Sequence, residues 1–308
     1  MIRMRSTILV IFIHSVRQSA PNRFTLERSS MSIITISRGS YSRGKDVAEK
    51  LAQRLGYECL SRDVLIEASD EFNIPEIKLI RALHDAPTVL ERFHHGKERY
   101  VAYLRSSLLK HTQTDKVVYH GLAGHYFLKD ISHVLKVRIL ANIEDRVTEE
   151  MRRENISAEE ALFILKKDDE ERHKWGIKVY GVDTQDSKLY DMVLNISTMT
   201  VDDAVDILFE AVGKKAFQTT PESQKKLEDL ALAARVQIAV MHLVPKVRVA
   251  ADSGVVSIGN VQGKTTAATD LVAMLSKVAQ AVNGVREVHV HLIPVKEKPD
   301  HINPFYNM

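Results

Sequence analysis

Gly39-Ser40-Tyr41-Ser42-Arg43-Gly44-Lys45-Asp46 has the G-x-x-x-x-G-K spacing of a phosphate-binding loop. Its flanks fit that reading. Ile33-Ile34-Thr35-Ile36 is a β-branched run and predicts a short buried strand. Val47, Ala48, Leu51 and Leu55 recur at helical spacing and predict a helix directly after the loop. A glycine-rich turn between strand and helix aims backbone N–H groups at an anion, and the helix dipole adds to the attraction. Gly39, Ser40, Ser42, Arg43, Gly44, Lys45, Asp46 and Val47 are therefore the candidate cofactor-binding set, with Lys45 expected to reach the outer phosphates. Such loops place Ser or Thr after the lysine to hold magnesium. Asp46 stands there instead, an oxygen ligand that suits a hard cation. The plainer alternative is a glycine turn that caps a helix.

Working outward, strand-like and helical stretches alternate. Tyr57 to Leu60, Val117 to Tyr119, Val134 to Leu140 and Met192 to Ile196 read as strands, the last as a core strand. Residues 75–113 read as mostly helical, with Pro75 and Pro87 near helix starts. Asn142 is placed to cap one helix, and Ser157 to Glu160 forms a capping box for the next. This order predicts an α/β domain, a parallel sheet wrapped by helices on both faces, over residues 31–215. Residues 216–223 read as a linker. A second rhythm follows over 224–295: helix, hairpin strands around Asp252-Ser253-Gly254, helix, strand. That is a small α+β domain of αββαβ order, with a disordered tail expected over 296–308.

Composition narrows the function. The chain has 308 residues, 27% charged and 44% hydrophobic, the mix of a globular protein with a sizeable core. A formal net charge of +3 gives no argument for nucleic acid, and no aromatic-interleaved basic patch is present. Cys59 is the single cysteine, which rules out an intramolecular disulfide and fits a reducing, cytoplasmic setting. No Cys or His spacing supports zinc. Residues 1–30 carry Arg3, Arg5 and a short apolar run, Ile8 to Ile13, which mimics a signal peptide too short to span a membrane. They read as an extension, non-native or disordered, ahead of a chain that starts at Met31.

On these motifs the first domain resembles the cytidylate kinase-like family, a branch of the P-loop nucleoside monophosphate kinases. The resemblance rests on Ile36-Ser37-Arg38 leading into the loop, on Ala48 to Ala52, on Arg62-Asp63, and on the strand Val134 to Ala141 with Arg146 after it. Lys166 to Arg172 resembles the lid, and Leu189 to Asn195 the Tyr-Asp-Leu-Val-Ile-Asn signature. Tyr41 and Arg43 stand where the family has small residues, and Leu122 where it often has arginine. The resemblance implies ATP and Mg2+ on residues 39–46, with Lys45 and Arg172 catalytic and Asp46 on the metal. It further implies an acceptor, CMP or dCMP, between Arg62-Asp63 and His120-Gly121.

Asp252 to Gly259 and Gly284 to Val288 resemble a BON domain, which implies a phospholipid or protein partner, or a role in homo-oligomers. Two readings follow: an ATP-dependent nucleoside monophosphate kinase, or a catalytically weak nucleotide sensor that signals through its small domain. A second Gly-Lys-Thr run, Gly263-Lys264-Thr265, has its glycines one residue too close and reads as a helix cap. His289 and His291 read as one exposed face of a strand.

Overall fold

The computed structural model describes residues 32–39, 42–61, 96–121, 123–128, 130–177, 181–262 and 265–293. The first unit is a parallel sheet of five strands in the order β2-β3-β1-β4-β5. Its strands are β1 (Ile33–Arg38), β2 (Glu58–Leu60), β3 (Val117–His120), β4 (Val134–Leu140) and β5 (Met192–Asn195). β1 is central because its β-branched residues can be buried on both faces. Ile34 packs under α1 (Gly44–Leu55) and α6 (Val201–Val212), and Ile33 packs toward the opposite face. That opposite face is covered by α2 (Gly96–Thr112), α3 (Gly124–Phe127) and α7 (Pro221–Val240). The α1–α6 pair is laced on its surface by Lys50–Asp202 (2.7 Å) and Arg54–Asp206, with Arg54 over the Phe209 ring.

The expected strand at Met192 to Ile196 is present but is not a core strand. Among the described residues β5 pairs only with β4, at the sheet's outer edge, and Val193 is 42% exposed. The helical reading of 75–113 holds over α2; residues 75–95 lie outside the described residues.

α4 (Ile143–Glu154) and α5 (Ala158–Trp175) form an arm after β4. The Ser157 capping box forms as expected, the side chain accepting from Glu160 N at 3.2 Å. Asn142 occupies the N-cap position of α4 without a side-chain cap bond; its amide turns toward Asn195 instead.

The small unit is a mixed sheet of β6 (Arg248–Asp252), β7 (Val255–Gln262) and β8 (Glu287–Ile293), with α8 (Thr265–Gln280) between β7 and β8. β6 and β7 are antiparallel, β7 and β8 parallel. Ser253 and Gly254, with φ of 51° and 84°, make the tight hairpin turn that the right-handed twist of the strands favours.

α7 belongs to both units. Leu227, Ala231 and Ala234 complete the core under α2, whereas Leu232, Val236 and Val240 lie in the core of the small sheet. The segment before it, expected as a linker, is tied down. Gln218 Nε2 donates to Val212 O (2.7 Å), and Thr219 Oγ1 to Asp115 Oδ2 (2.8 Å). Ser223 Oγ sits 2.7 Å from His133 Nδ1, with the other ring nitrogen 3.3 Å from Asp115. All three of these groups are buried, so the hydrogen bonds fix the entry of α7 where water cannot compete.

Candidate active site

β1 leads to α1 on one face of the sheet, and β3 leads to α3 on the other. The crevice outside the C-terminal ends of these neighbouring strands is where open α/β sheets take ligands. It brings together Gly39 and Arg43 to Asp46 on one side and His120-Gly121 on the other.

The loop is stapled at its base to β4. Gly39 N donates to Ile139 O (3.4 Å), and Ser42 Oγ lies within hydrogen-bond reach of both Gly39 O (3.1 Å) and Ile139 O (3.2 Å). Ser42 thus faces inward, and Val47 is a core side chain of α1. Arg43 caps α1 in the left-handed region (φ 57°) without a side-chain bond to the helix. The first helical bond runs from Val47 N to Arg43 O (3.1 Å), which leaves the amides of Gly44, Lys45 and Asp46 ahead of it. Gly44 is required sterically: a Cβ there would stand 2.8 Å from Arg38 Cβ and 3.4 Å from Ile139 Cβ.

Cations stand around this helix end, and Lys45, Arg43 and Arg146 are each held by a carboxylate. Lys45 is 60% exposed, with Nζ 3.6 Å from Glu49 Oε1. Arg43 stands 3.7 Å from Glu149 of α4. A hydrogen bond from Arg152, with help from the Arg43 charge, holds Glu149 below the usual carboxylate range. Arg146 is nearly buried and pairs with Asp169 of α5 at 2.8 Å. Its Nη1 also comes within 4.0 Å of the Cβ position of Gly39, directly beside the loop. Arg172 lies three residues beyond Asp169 on the same face of α5, half-buried and with no ion pair among the described residues. Asp46 is exposed in the first turn of α1.

On the β3 side, His120 is buried at the strand end, and Gly121 leaves room for the Tyr119 ring folded over it. Burial pushes the Tyr119 phenol up from its ordinary value. His125 of α3 is buried against Tyr190 (4.8 Å between ring centroids). Burial, then the charges of Arg138 and Lys136, lower its pKa to about 4, so the ring is neutral at pH 7. Tyr190 Oη lies 2.8 Å from Thr184 O and 3.2 Å from Ser37 Oγ, and Arg138 Nη1 donates to the same carbonyl at 2.5 Å. These bonds pin the chain returning from the arm onto β1 and β4. Asp191 accepts from Lys136 N (2.8 Å), a backbone tie rather than a site contact.

The strand ends further along hold a feature that the sequence did not single out. An open pocket of about 540 Å³ is lined by Asn142, Asn195, Ser197, Thr198, Met199 and Asp203. Asn195 Nδ2 donates to Asn142 Oδ1 (3.0 Å), and Asn142 N to Ser197 Oγ (3.0 Å). The signal in the sequence was only an Asn closing one strand and another just past a second, meaningless until sheet order makes those ends neighbours. Ser40, Arg62, Asp63 and Leu122 lie outside the described residues.

The site thus sits on a parallel sheet with a glycine loop after its central strand and a helical arm after β4. The chain belongs to the cytidylate kinase-like family, whose model matches residues 33–198. A cytidylate kinase of Sulfolobus acidocaldarius is 23% identical over 184 residues, which cover 59% of this chain and 94% of that protein. A cytidylate kinase of Methanosarcina acetivorans is 36% identical over 106 residues, which cover 33% of this chain and 57% of its own length. A solved structure of an uncharacterized protein from Eubacterium ventriosum is 24% identical, with 59% of this chain and 98% of that one covered at a TM-score of 0.46. Among the described residues, no helix is long and apolar enough to cross a membrane.

Proposed function

We propose that the protein transfers the γ-phosphoryl group of ATP to a nucleoside monophosphate, CMP or dCMP. The observation that carries this reading is the open helix end at residues 44–46, with Lys45 exposed beside it and Arg146 against Gly39, next to the end of β3 at His120-Gly121. Phosphoryl transfer needs little covalent help from the protein. It needs two polyanions held in line with their charge neutralised. The amides of Gly44 to Asp46 would hold the phosphate chain. Lys45 would leave Glu49 for the outer phosphates, because a polyphosphate attracts it more strongly than one exposed carboxylate. Arg146 and Arg172, on the two helices of the arm, would neutralise the charge that spreads as the bond breaks.

Asp46 fits a hard cation, being an exposed carboxylate at the same helix end. Mg2+ would take further ligands from phosphate oxygens and water. The pocket between Asn142 and Asn195 suits the ATP base, and Arg62, Asp63, His120 and Gly121 are the proposed acceptor residues. The small domain, BON-like in sequence, is proposed to meet a phospholipid surface or protein partner in the cytoplasm. The test is coupled ADP release with ATP, Mg2+ and each monophosphate in turn. Turnover that depends on CMP or dCMP and is lost in Lys45→Ala is expected. ATP binding with no turnover on any acceptor would overturn the kinase reading.

A further inference from the structure

β8 pairs with β7 on one side, and among the described residues no strand or hydrogen bond reaches the other side of Val288 to Ile293. A strand bonded on one side only directs the N–H and C=O of alternate residues outward, a template for another strand. The other sheet edges are guarded. β2 and β5 have only three and four residues. β6 is tied to α7 at both ends: Asp229 Oδ1 accepts from Ser253 N (2.6 Å), and Gln237 Nε2 donates to Val247 O (3.2 Å). β8 runs for seven residues without a Lys or Pro to deter pairing. Three large apolar side chains are exposed in the described part of the small unit, and two of them, Leu292 (45%) and Ile293 (38%), lie on β8.

The side chains of β8 complement themselves. Val288 and Val290 pack against the core that holds Leu275 and Ala279 of α8, whereas Glu287, His289 and His291 share the opposite, exposed face. Setting a second copy antiparallel, about a two-fold axis at His289, places Glu287 of each chain opposite His291 of the other and Val288 opposite Val290. Directly facing pairs of complementary chemistry are what stabilise a strand pair. Glu287 Oε1 lies 3.1 Å from His289 Nε2 of its own strand. Its second oxygen is left for the facing imidazole, which has an N–H to donate in either protonation state. Because α7 guards β6, the pairing closes at two copies, as a two-fold interface does.

We propose that β8 is the interface of a homodimer, two chains joined edge to edge in antiparallel register centred on His289, so that their small sheets become one. The proposal is independent of the kinase reading, since its test needs no turnover. A strand pair of this length buries less than a permanent interface does, so the dimer is in equilibrium with monomer at micromolar concentration. Sedimentation velocity of the full chain from about 1 to about 100 μM should show that equilibrium, with Kd of about 1–10 μM. His291→Glu sets carboxylates face to face at two symmetric places and should raise Kd about tenfold or more. Glu287→His combined with His291→Glu reverses each pair, and should return Kd to within about threefold of wild type, a rescue that a folding defect would not give. Amides of residues 288–292 that face outward should exchange about tenfold more slowly at the high concentration than at the low one. A monomer at about 100 μM overturns the proposal. So does a dimer whose Kd ignores His291→Glu, a reversal that fails to rescue, or exchange at 288–292 that ignores concentration. Outward amides protected in a monomer would put another segment of this chain on the edge, and would overturn it too.

Discussion

Gly44→Ala separates the geometry of the loop from general stability. Gly44 is the first residue of α1, in helical conformation, so alanine is not excluded by its backbone angles. By helix propensity alone the change should stabilise α1 by about 1 kcal/mol. The new Cβ would lie 2.8 Å from Arg38 Cβ and 3.4 Å from Ile139 Cβ. Neither is the loose end of a side chain, so α1 must move off β1 and β4. Overpacking of this kind costs about 1–3 kcal/mol, which leaves a net loss of about 0–2 kcal/mol. At about 2–4 °C per kcal/mol for a chain of this size, Tm should fall by only a few degrees. Binding should suffer more. A shift that misaligns one amide–phosphate bond loses about 1.5–3 kcal/mol, or about ten- to hundredfold in ATP affinity. Calorimetric titration with Mg·ATP and thermal unfolding on the same preparation measure both quantities. ATP affinity within about twofold of wild type would refute the close approach and the role of the helix end.

Two further outcomes are expected. Leu227→Ala, in the half of α7 that completes the first core, should cost about 2–5 kcal/mol because Leu227 is fully buried there. Urea unfolding followed at Trp175, the single tryptophan, checks this, and a loss below about 0.5 kcal/mol would show that α7 is dispensable to that core. His125 should make the fold acid-sensitive. Its folded pKa, about 4, lies below the ordinary 6.5, so between those values the unfolded chain binds the extra proton. The stabilisation is complete above about pH 6.5 and is lost as pH falls toward 4, about 3 kcal/mol in all. Urea unfolding at pH 7 and pH 4.5 should show a smaller drop in His125→Gln, and an equal drop would contradict the burial argument.

The loop and its flanks were legible because local chemistry dictates them: β-branched residues before a glycine turn, then apolar residues at helical spacing. The hairpin at Asp252-Ser253-Gly254 was legible for the same reason, since positive φ at two successive residues selects such a turn. What escaped the sequence depends on non-local packing. Met192 to Asn195 carries a core-like composition, yet nothing local says that β4 is its only strand neighbour among the described residues. α7 shows a mixed pattern because two of its faces are buried in two cores, which blurs the single stripe expected of a surface helix. Residues 216–223 have the composition of a linker. Only the distant partners Asp115 and His133 reveal that the segment is fixed. Arg146 drew attention among several arginines, but its place beside Gly39 follows from the α4–α5 arm folding back toward β1.

The central claim is that the loop after β1 delivers a phosphoryl group to a nucleotide rather than merely binding one. A single-turnover reaction with γ-labelled ATP, Mg2+ and CMP, resolved by chromatography, tests it most directly. Label appearing in CDP at the rate of ATP loss, and absent in Lys45→Ala, is the expected result. Label that stays in ATP, or appears only as inorganic phosphate whether or not CMP is present, would contradict it.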